Sequence, residues 1–260
     1  MDLALTDWFI TDPKFYAAAI PAVLLLGVSK SGFGSGFGAL AVPLISLTVT
    51  VPQAAAILMP VLFVLDILGL NAYRRGYDLA LLKFLVPCAL IGVCLGFVLF
   101  RVMDAHLVAG LVGVCTLLFL AQRLLFPPRA DAPPPPRWLG AILTVTSGFT
   151  SFIAHAGGPP LNAYVLPLRL PPFTFTATMA VLFFFVNMAK WLPYAYLGLL
   201  DWRGLGTALM LLPFAPIGVW MGLRVARVIQ PTLFYRLVHL GLFLTGCKLV
   251  WDGFLSGAHA

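Results

Sequence analysis

Residues 87–96 read Pro-Cys-Ala-Leu-Ile-Gly-Val-Cys-Leu-Gly, and residues 213–222 read Pro-Phe-Ala-Pro-Ile-Gly-Val-Trp-Met-Gly. Pairs that keep this 126-residue offset include Pro87 and Pro213, Gly92 and Gly218, Gly96 and Gly222, and Arg101 and Arg227. A second offset, of 121 residues, relates Asp66 and Tyr73 to Asn187 and Tyr194. The difference between the offsets indicates short insertions or deletions between two copies of one unit. We therefore divide the chain into a first repeat, 1–126, a linker, 127–137, and a second repeat, 138–260.

The composition is that of a membrane protein. Of the 260 residues, 61% are hydrophobic and only 10% are charged, and the mean hydropathy is +1.01. Soluble domains carry about 25% charged residues. The net charge of +7 would suggest nucleic acid binding in a soluble protein; here it indicates loop lysines and arginines that set the orientation in a lipid bilayer. The four cysteines stand singly in apolar runs, so the sequence predicts neither a disulfide framework nor a metal site.

Ten apolar stretches predict helices, and a helix needs about 20 residues to cross the hydrocarbon. The last three stretches of each half are long enough: 53–73, 79–100, 104–126, 174–199, 204–223 and 231–252. The first two of each half are short and interrupted by glycine or proline: 15–29, 33–49, 138–154 and 157–170. We predict an all-α polytopic membrane protein with two homologous repeats, each a broken helical hairpin followed by three transmembrane helices. Whether the hairpins span fully or are re-entrant stays open.

The distribution of lysine and arginine favours one orientation. If each hairpin returns to its starting side, the repeats are inverted, and ten basic loop residues lie in the cytoplasm against four outside. If each hairpin is a single crossing, the repeats are parallel and the split is nine to five. Cytoplasmic loops carry the excess of basic residues. The larger asymmetry favours inverted repeats, both termini outside, and a cytoplasmic linker, whose six prolines prevent a helix.

Paired, interrupted segments at matching places in two repeats are the best sequence indication of a transport site. In the first, Lys30 is followed by a serine- and glycine-rich run to Gly38. Such a run lets backbone N–H groups approach an anion, and a helix that begins near Gly36 adds a positive dipole end. The predicted ligands are Lys30, Ser31, Gly34, Ser35 and Gly36. The alternative is that the glycines serve helix packing and the lysine extends toward the interface.

In the second interrupted segment, the run His155-Ala-Gly-Gly-Pro-Pro160 holds the equivalent place. Proline suits the first turn of a helix, so Gly157 and Gly158 are expected to present free N–H groups at a helix start. His155 can donate to an anion or accept a proton near neutral pH. The alternative is a histidine that only caps a broken helix end.

Polar residues also occur within two of the long spans. Asn187 and Lys190 lie three residues apart, hence on one helix face, and Asp66 is the first-repeat counterpart of Asn187. A lone ionisable group at membrane depth must pair or line water. Two roles stay open for Asp66: a proton carrier, or the counter-ion of Lys30 or Lys190. Lys190 is either a ligand or a side chain that extends to the interface.

With these motifs the chain resembles the sulfite exporter TauE/SafE family of membrane transporters over nearly its full length. The resemblance is carried by Gly27 to Gly38 with Pro43, Asp66 with Tyr73-Arg-Arg, His155-Ala-Gly-Gly-Pro-Pro with Tyr164 and Pro167, and Asn187 with Lys190, Pro193-Tyr194 and Gly198. Many relatives have three adjacent glycines before the first of these prolines, where this chain reads Gly36-Phe-Gly-Ala-Leu. The resemblance implies transport of small sulfur-containing anions, such as sulfite and sulfoacetate, across the bacterial inner membrane.

Two other classes of function are weighed against a carrier. An intramembrane enzyme would need a catalytic centre, and the chain has no GxSxG or HExxH motif; its candidate motifs form matched pairs instead. A small-anion channel is the nearer alternative. We predict no cofactor and no nucleic acid partner, and leave open the anion, the coupling ion, which includes protons, the direction of transport and the oligomeric state.

Overall fold

The computed structural model describes residues 8–30, 37–73, 76–125, 135–228 and 231–255. These residues form eleven α-helices and no β-strand. In chain order the helices are α1 Pro13–Val28, α2 Ala41–Ile45, α3 Val51–Tyr73, α4 Leu79–Phe100, α5 Ala105–Leu125, α6 Arg137–Ala154, α7 Gly158–Val165, α8 Pro172–Tyr196, α9 Trp202–Leu211, α10 Phe214–Val228 and α11 Pro231–Val250. The predicted all-α class is confirmed.

Aspartates at helix starts explain where several helices begin. The side chain of Asp78 accepts from the amide of Leu81 at 2.9 Å and caps α4. Asp201 accepts from the amide of Gly204 at 2.8 Å and caps α9. A carboxylate at this position satisfies one of the orphan N–H groups of the first turn and complements the helix dipole. Both helices therefore start where an Asp precedes an apolar run.

The second interrupted stretch of each half forms only short helical pieces among its described residues. After Lys30 the described chain resumes as a 3₁₀ turn, Phe37–Leu40, which leads into the five-residue α2. In the second half, α6 ends at Ala154, and α7 has eight residues followed by a 3₁₀ turn, Leu166–Leu168. Neither piece could cross a bilayer by itself, because a span takes about 20 residues.

Three of the described helices are long and apolar enough to cross a membrane: Val51–Asn71 within α3, then α4 and α8. The stretch 204–223, which we predicted as one span, forms two helices, α9 and α10, bent by 41°. Together they are long and apolar enough to count as a fourth span if the bent pair crosses as one. Pro213 and Pro216 cause the break, because each lacks the N–H that would bond the carbonyl four residues back. Helix α4 carries a single proline, Pro87, at the matching place and continues through it.

Helices of the two halves pack mainly against each other. The most extensive contacts join α4 to α6, α5 to α11, α1 to α10 and α3 to α8. Each of these pairs takes one helix from residues 1–126 and one from residues 137–260. One continuous cluster of buried apolar side chains runs through both halves. The chain is therefore a single helical body with a shared core.

Glycines allow the closest of these crossings. A Cβ on Gly27 of α1 would lie 2.7 Å from the carbonyl carbon of Gly218 in α10. A Cβ on Gly148 of α6 would lie 2.8 Å from the carbonyl carbon of Ala89 in α4, and one on Gly92 of α4 would lie 2.7 Å from a backbone nitrogen of α6. Small residues at helix crossings are typical of membrane proteins, where packing drives association. Gly27 and Gly148 share the 121-residue offset.

Candidate functional site

A buried carboxylate lies at the centre of the α3–α8 contact. Asp66 on α3 forms an ion pair with Lys30, two residues after the end of α1, through its Oδ1 atom. Its other oxygen, Oδ2, accepts from Nδ2 of Asn187 on α8 at 2.5 Å. The Asp66 side chain is 1% exposed and that of Lys30 is 25% exposed. Both carboxylate oxygens thus have partners, and Lys30 is the more accessible member of the ion pair.

Lys190 lies one helical turn beyond Asn187 on α8 and is completely buried. Its Nζ atom donates to the carbonyl and the hydroxyl of Ser151, at 3.0 and 3.1 Å, and lies 2.9 Å from Nδ1 of His155. An ammonium has three protons to donate, so these three acceptors use all of them. Because Ser151 lies in the last turn of α6, Lys190 also places its charge at the negative end of that helix.

The imidazole of His155 is fixed on both sides. Its Nε2 atom lies 2.8 Å from the carbonyl oxygen of Ala55 on α3, and a carbonyl can only accept. Nε2 therefore carries the proton, and Nδ1 is the acceptor for Lys190. The ring is neutral in this arrangement, because a second proton on Nδ1 would face the ammonium. His155 has φ 52°, in the left-handed region, and ends α6.

Side chains of α6 and α8 hold the corner between α6 and α7. The hydroxyl of Ser147 donates to the carbonyl of Gly157 at 2.5 Å, and the hydroxyl of Thr150 donates to that of Ala156 at 3.1 Å. From α8, the buried Tyr194 hydroxyl donates to the carbonyl of Phe152 at 2.6 Å. The carbonyl of Phe152 belongs to the last turn of α6, where carbonyls lack intrahelical donors. The carbonyls of Ala156 and Gly157 belong to the connection between α6 and α7.

A small cavity of about 40 Å³ adjoins these groups. A water molecule needs roughly 10–15 Å³ on this measure, so the space admits a few waters or one small oxyanion. Its lining combines the polar residues with apolar side chains and the start of α7: Leu26, Ser29, Lys30, Gly38, Leu62, Ser151, His155, Gly158, Phe183 and Asn187. Lys30 is the one charged residue among these described lining residues.

A larger cavity of about 350 Å³ lies on the other side of the α6–α7 corner. It is bordered mainly by apolar residues of α5 and α6, with Ala39, Pro159, Pro160 and Leu242. None of its described lining residues carries a charge. Of these two cavities, the smaller one is therefore the one that has a charged residue, Lys30, among its described lining residues.

Most of the site residues predicted from the sequence converge, although they come from four separate segments. The structure brings together Lys30, Asp66, His155, Gly158, Asn187 and Lys190, with Gly157 directly before the first turn of α7. Lys190 lies behind Ser151 and His155 and does not line the cavity. Ser31, Gly34, Ser35 and Gly36, together with the predicted helix start near Gly36, fall outside the described residues.

Sequence reasoning missed Ser151 and Phe183, which both line the cavity. The 121-residue offset contained the signal for Ser151, because this serine is the counterpart of Lys30. Phe183 belongs to a run of three phenylalanines, 183–185, and the usual interpretation of aromatic residues in an apolar span is a lipid-facing or interfacial position. That interpretation suits Phe185, which is 48% exposed, but not Phe183, because helix geometry turns neighbouring side chains to different faces.

The fold and the site define a polytopic helical membrane protein with a buried ionic centre, a class in which such centres mark transport pathways. The family model described as Sulfite exporter TauE/SafE matches residues 19–249. The chain therefore belongs to the sulfite exporter TauE/SafE family, a family of membrane transporters and not of enzymes. Comparison with curated proteins and with solved structures gives no match.

Proposed function

We propose that this protein is a secondary transporter of small sulfur-containing anions, such as sulfite, sulfoacetate or a related organosulfonate, in the bacterial inner membrane. The observation that carries the proposal is the cavity beside Lys30, a half-buried cation next to a helix start, in a chain of the sulfite exporter family. A cation and backbone N–H groups in a site shielded from water are the elements that bind oxyanions.

Three groups are the proposed first contacts of the anion. Lys30 offers its ammonium, Asn187 offers the second proton of its amide, and Gly158 offers its N–H at the first position of α7. The Gly158 N–H belongs to the first turn, where N–H groups have no intrahelical acceptor. Ser31, Gly34, Ser35 and Gly36 remain ligands predicted from the sequence alone.

We assign Lys190 and His155 a positioning role in the proposed site. Lys190 has its three protons on Ser151 and His155, and His155 in turn is bonded to Ala55. These bonds fix the α6–α7 corner and thereby the direction of the Gly158 N–H. The positive charge of Lys190 still favours an anion in the cavity, because charges in a low-dielectric interior are weakly screened.

Alternating access is the proposed transport mode, with the anion between two inverted repeats. The extensive contacts between helices of the two halves support this proposal, since they place the cavity where the halves meet. Sites at repeat interfaces, near helix breaks, are general features of such carriers.

Reconstitution tests the proposal directly. Purified protein in liposomes is loaded with sulfite or sulfoacetate, and uptake of the labelled anion is followed with and without a pH gradient. We expect saturable uptake that is accelerated by unlabelled anion on the opposite side, while chloride and acetate compete weakly. Saturable uptake without such acceleration would indicate a channel, and no uptake of any sulfur-containing anion would contradict the proposed function.

A further inference from the structure

The charges enclosed at the site do not cancel. Lys30 and Lys190 carry two positive charges, Asp66 carries one negative charge, and His155 is neutral because Nδ1 accepts from Lys190. Residues 31–36, which continue from Lys30, have no ionisable side chain in the sequence. The site without its anion therefore has a net charge of +1 from its described ionisable groups.

The groups that face Asp66 are few. Lys30, after the end of α1, forms the ion pair with Asp66, and Lys190 of α8 is the second cation that interacts with it. His155, at the end of α6, is bonded to Lys190. The other helices in contact with α3 are α2, α5, α9 and α10. Helix α2 has no titratable side chain, and the described basic groups of the other three, His106, Arg203 and Arg224, are exposed. Asp66 is the one buried aspartate among the described residues.

The net charge of the occupied site depends on whether the bound anion carries one or two negative charges. A monoanion brings the site to neutrality. A dianion leaves one uncompensated negative charge in a buried site, which is strongly unfavourable. A proton on Asp66 removes that charge and also releases Lys30, because a neutral carboxyl group no longer holds the ammonium as an ion pair.

We infer that Asp66 and the transported anion are alternative partners of Lys30, and that each dianion binds together with one proton on Asp66, whereas a monoanion binds without one. The inference rests on the proposed function and specifies its coupling. The proton comes from water and adds to Oδ1, the oxygen that faces Lys30, and an oxygen of the anion takes its place at Nζ. On release the proton leaves to water and the ion pair forms again.

Two sulfonates of matched size test this inference. Sulfoacetate is a dianion between about pH 6 and pH 8, since free carboxyl groups titrate near pH 4, and 2-hydroxyethanesulfonate is a monoanion. Binding to the intact protein in detergent is measured by calorimetry in buffers of different ionisation enthalpy, which counts the protons taken up. We expect one proton per sulfoacetate and none per 2-hydroxyethanesulfonate. By linkage, sulfoacetate affinity then falls up to about tenfold per pH unit as the pH rises, and 2-hydroxyethanesulfonate affinity stays constant.

Infrared difference spectra and one variant identify the proton acceptor. Sulfoacetate should produce the C=O stretch of a protonated carboxylic acid in the wild-type protein. In Asp66→Asn the band and the proton uptake should both disappear, and binding should become independent of pH. Should the variant fail to fold, the wild-type spectra and proton counts still decide. Equal proton uptake for both anions, or uptake that persists in Asp66→Asn, would overturn the inference. Failure of the wild-type protein to bind either sulfonate would instead contradict the proposed function.

Discussion

Lys30 and Lys190 are the same residue type, but they differ in their hydrogen-bond partners and in their access to the cavity. Lys30 has one described side-chain partner, Asp66, and lines the cavity. Lys190 has every proton on a protein acceptor and does not line the cavity. We expect substitutions at these positions to change different measured quantities, anion affinity at the first and the geometry of the α6–α7 corner at the second.

The first prediction concerns Lys30→Met, which removes the accessible cation but keeps much of the side-chain volume. Loss of a charge-assisted hydrogen bond should weaken sulfoacetate binding by about 1.5–3 kcal/mol, or roughly ten- to a hundred-fold. Equilibrium binding at fixed pH measures this effect. The matched control is Lys14→Met, which removes the same charge at an exposed position and should leave affinity unchanged.

Lys30→Met also leaves the Asp66 carboxylate with Asn187 as its remaining described partner, and an unpaired buried charge destabilises a protein by about 3–5 kcal/mol. The double variant Lys30→Met with Asp66→Asn removes both charges of the pair and should fold. It should still bind sulfoacetate more weakly than the wild-type protein, because the ammonium of Lys30 is absent from both variants. Wild-type affinity in either variant would exclude Lys30 as an anion ligand.

The second prediction concerns Tyr194→Phe. The left-handed turn at His155 directs the amide of Ala156 to the carbonyl of Thr150, at 3.2 Å, and the carbonyl of Phe152 receives the Tyr194 hydroxyl instead. Phenylalanine leaves that buried acceptor without its donor, which should lower the free energy of unfolding by about 1 kcal/mol. Thermal unfolding in detergent measures the change. Tyr196→Phe, at a residue that is 68% exposed, is the control, and an equal loss of stability in both variants would contradict the prediction.

The helical elements follow from the sequence more closely than the site does. Helix α4 has the bounds 79–100 of the apolar stretch, because Asp78 caps its start and the apolar run continues to its end. The break between α9 and α10 was not predicted, since Pro87 and Pro213 match while the helices that contain them differ. The second proline, Pro216, separates the two cases: it removes a further N–H one turn later.

The sequence predicted those site residues whose type is unusual in an apolar helix. It did not predict the hydrogen bonds that depend on which helices pack together. The 121-residue offset paired Asp66 with Asn187, and these side chains are hydrogen-bonded. It did not show that Ser151 and His155 take up all the donors of Lys190, because such bonds depend on the crossing of α6 and α8. A serine in an apolar helix does not by itself predict that its oxygen atoms accept hydrogen bonds from a buried ammonium.

The third prediction addresses the crossing of α4 and α6. In Gly148→Ala the new methyl group would lie 2.8 Å from the Ala89 carbonyl carbon, so the helices must separate and the protein should lose about 1–3 kcal/mol of stability. Gly69→Ala is the control, because its methyl would meet Cβ of Ala180 at 3.8 Å, an ordinary contact. Alanine has the higher helix propensity, so the control should be neutral or slightly stabilised. Equal thermal stability of the two variants would contradict the prediction.

At the scale of the whole molecule, the orientation in the membrane is the fourth prediction. The predicted division of ten lysines and arginines on one side against four on the other should place the linker 127–137 in the cytoplasm and both termini outside. Single cysteines are introduced into a chain whose four native cysteines have been replaced, and a membrane-impermeant thiol reagent then reports which positions face outward. A reporter fused after Ala260 gives an independent answer, and a cytoplasmic reporter signal would exclude this orientation.

The hydrogen bond between Asp66 and Asn187 has a consequence for symmetry. In a symmetric dimer of two identical chains, the positions that correspond to Asp66 and Asn187 would hold the same residue. The choice would then be two carboxylates, which repel each other, or two amides, which carry no charge. A single chain that contains both halves is free of that restriction. It can pair a carboxylate in one half with an amide in the other, and so hold a single negative charge where two otherwise similar halves meet.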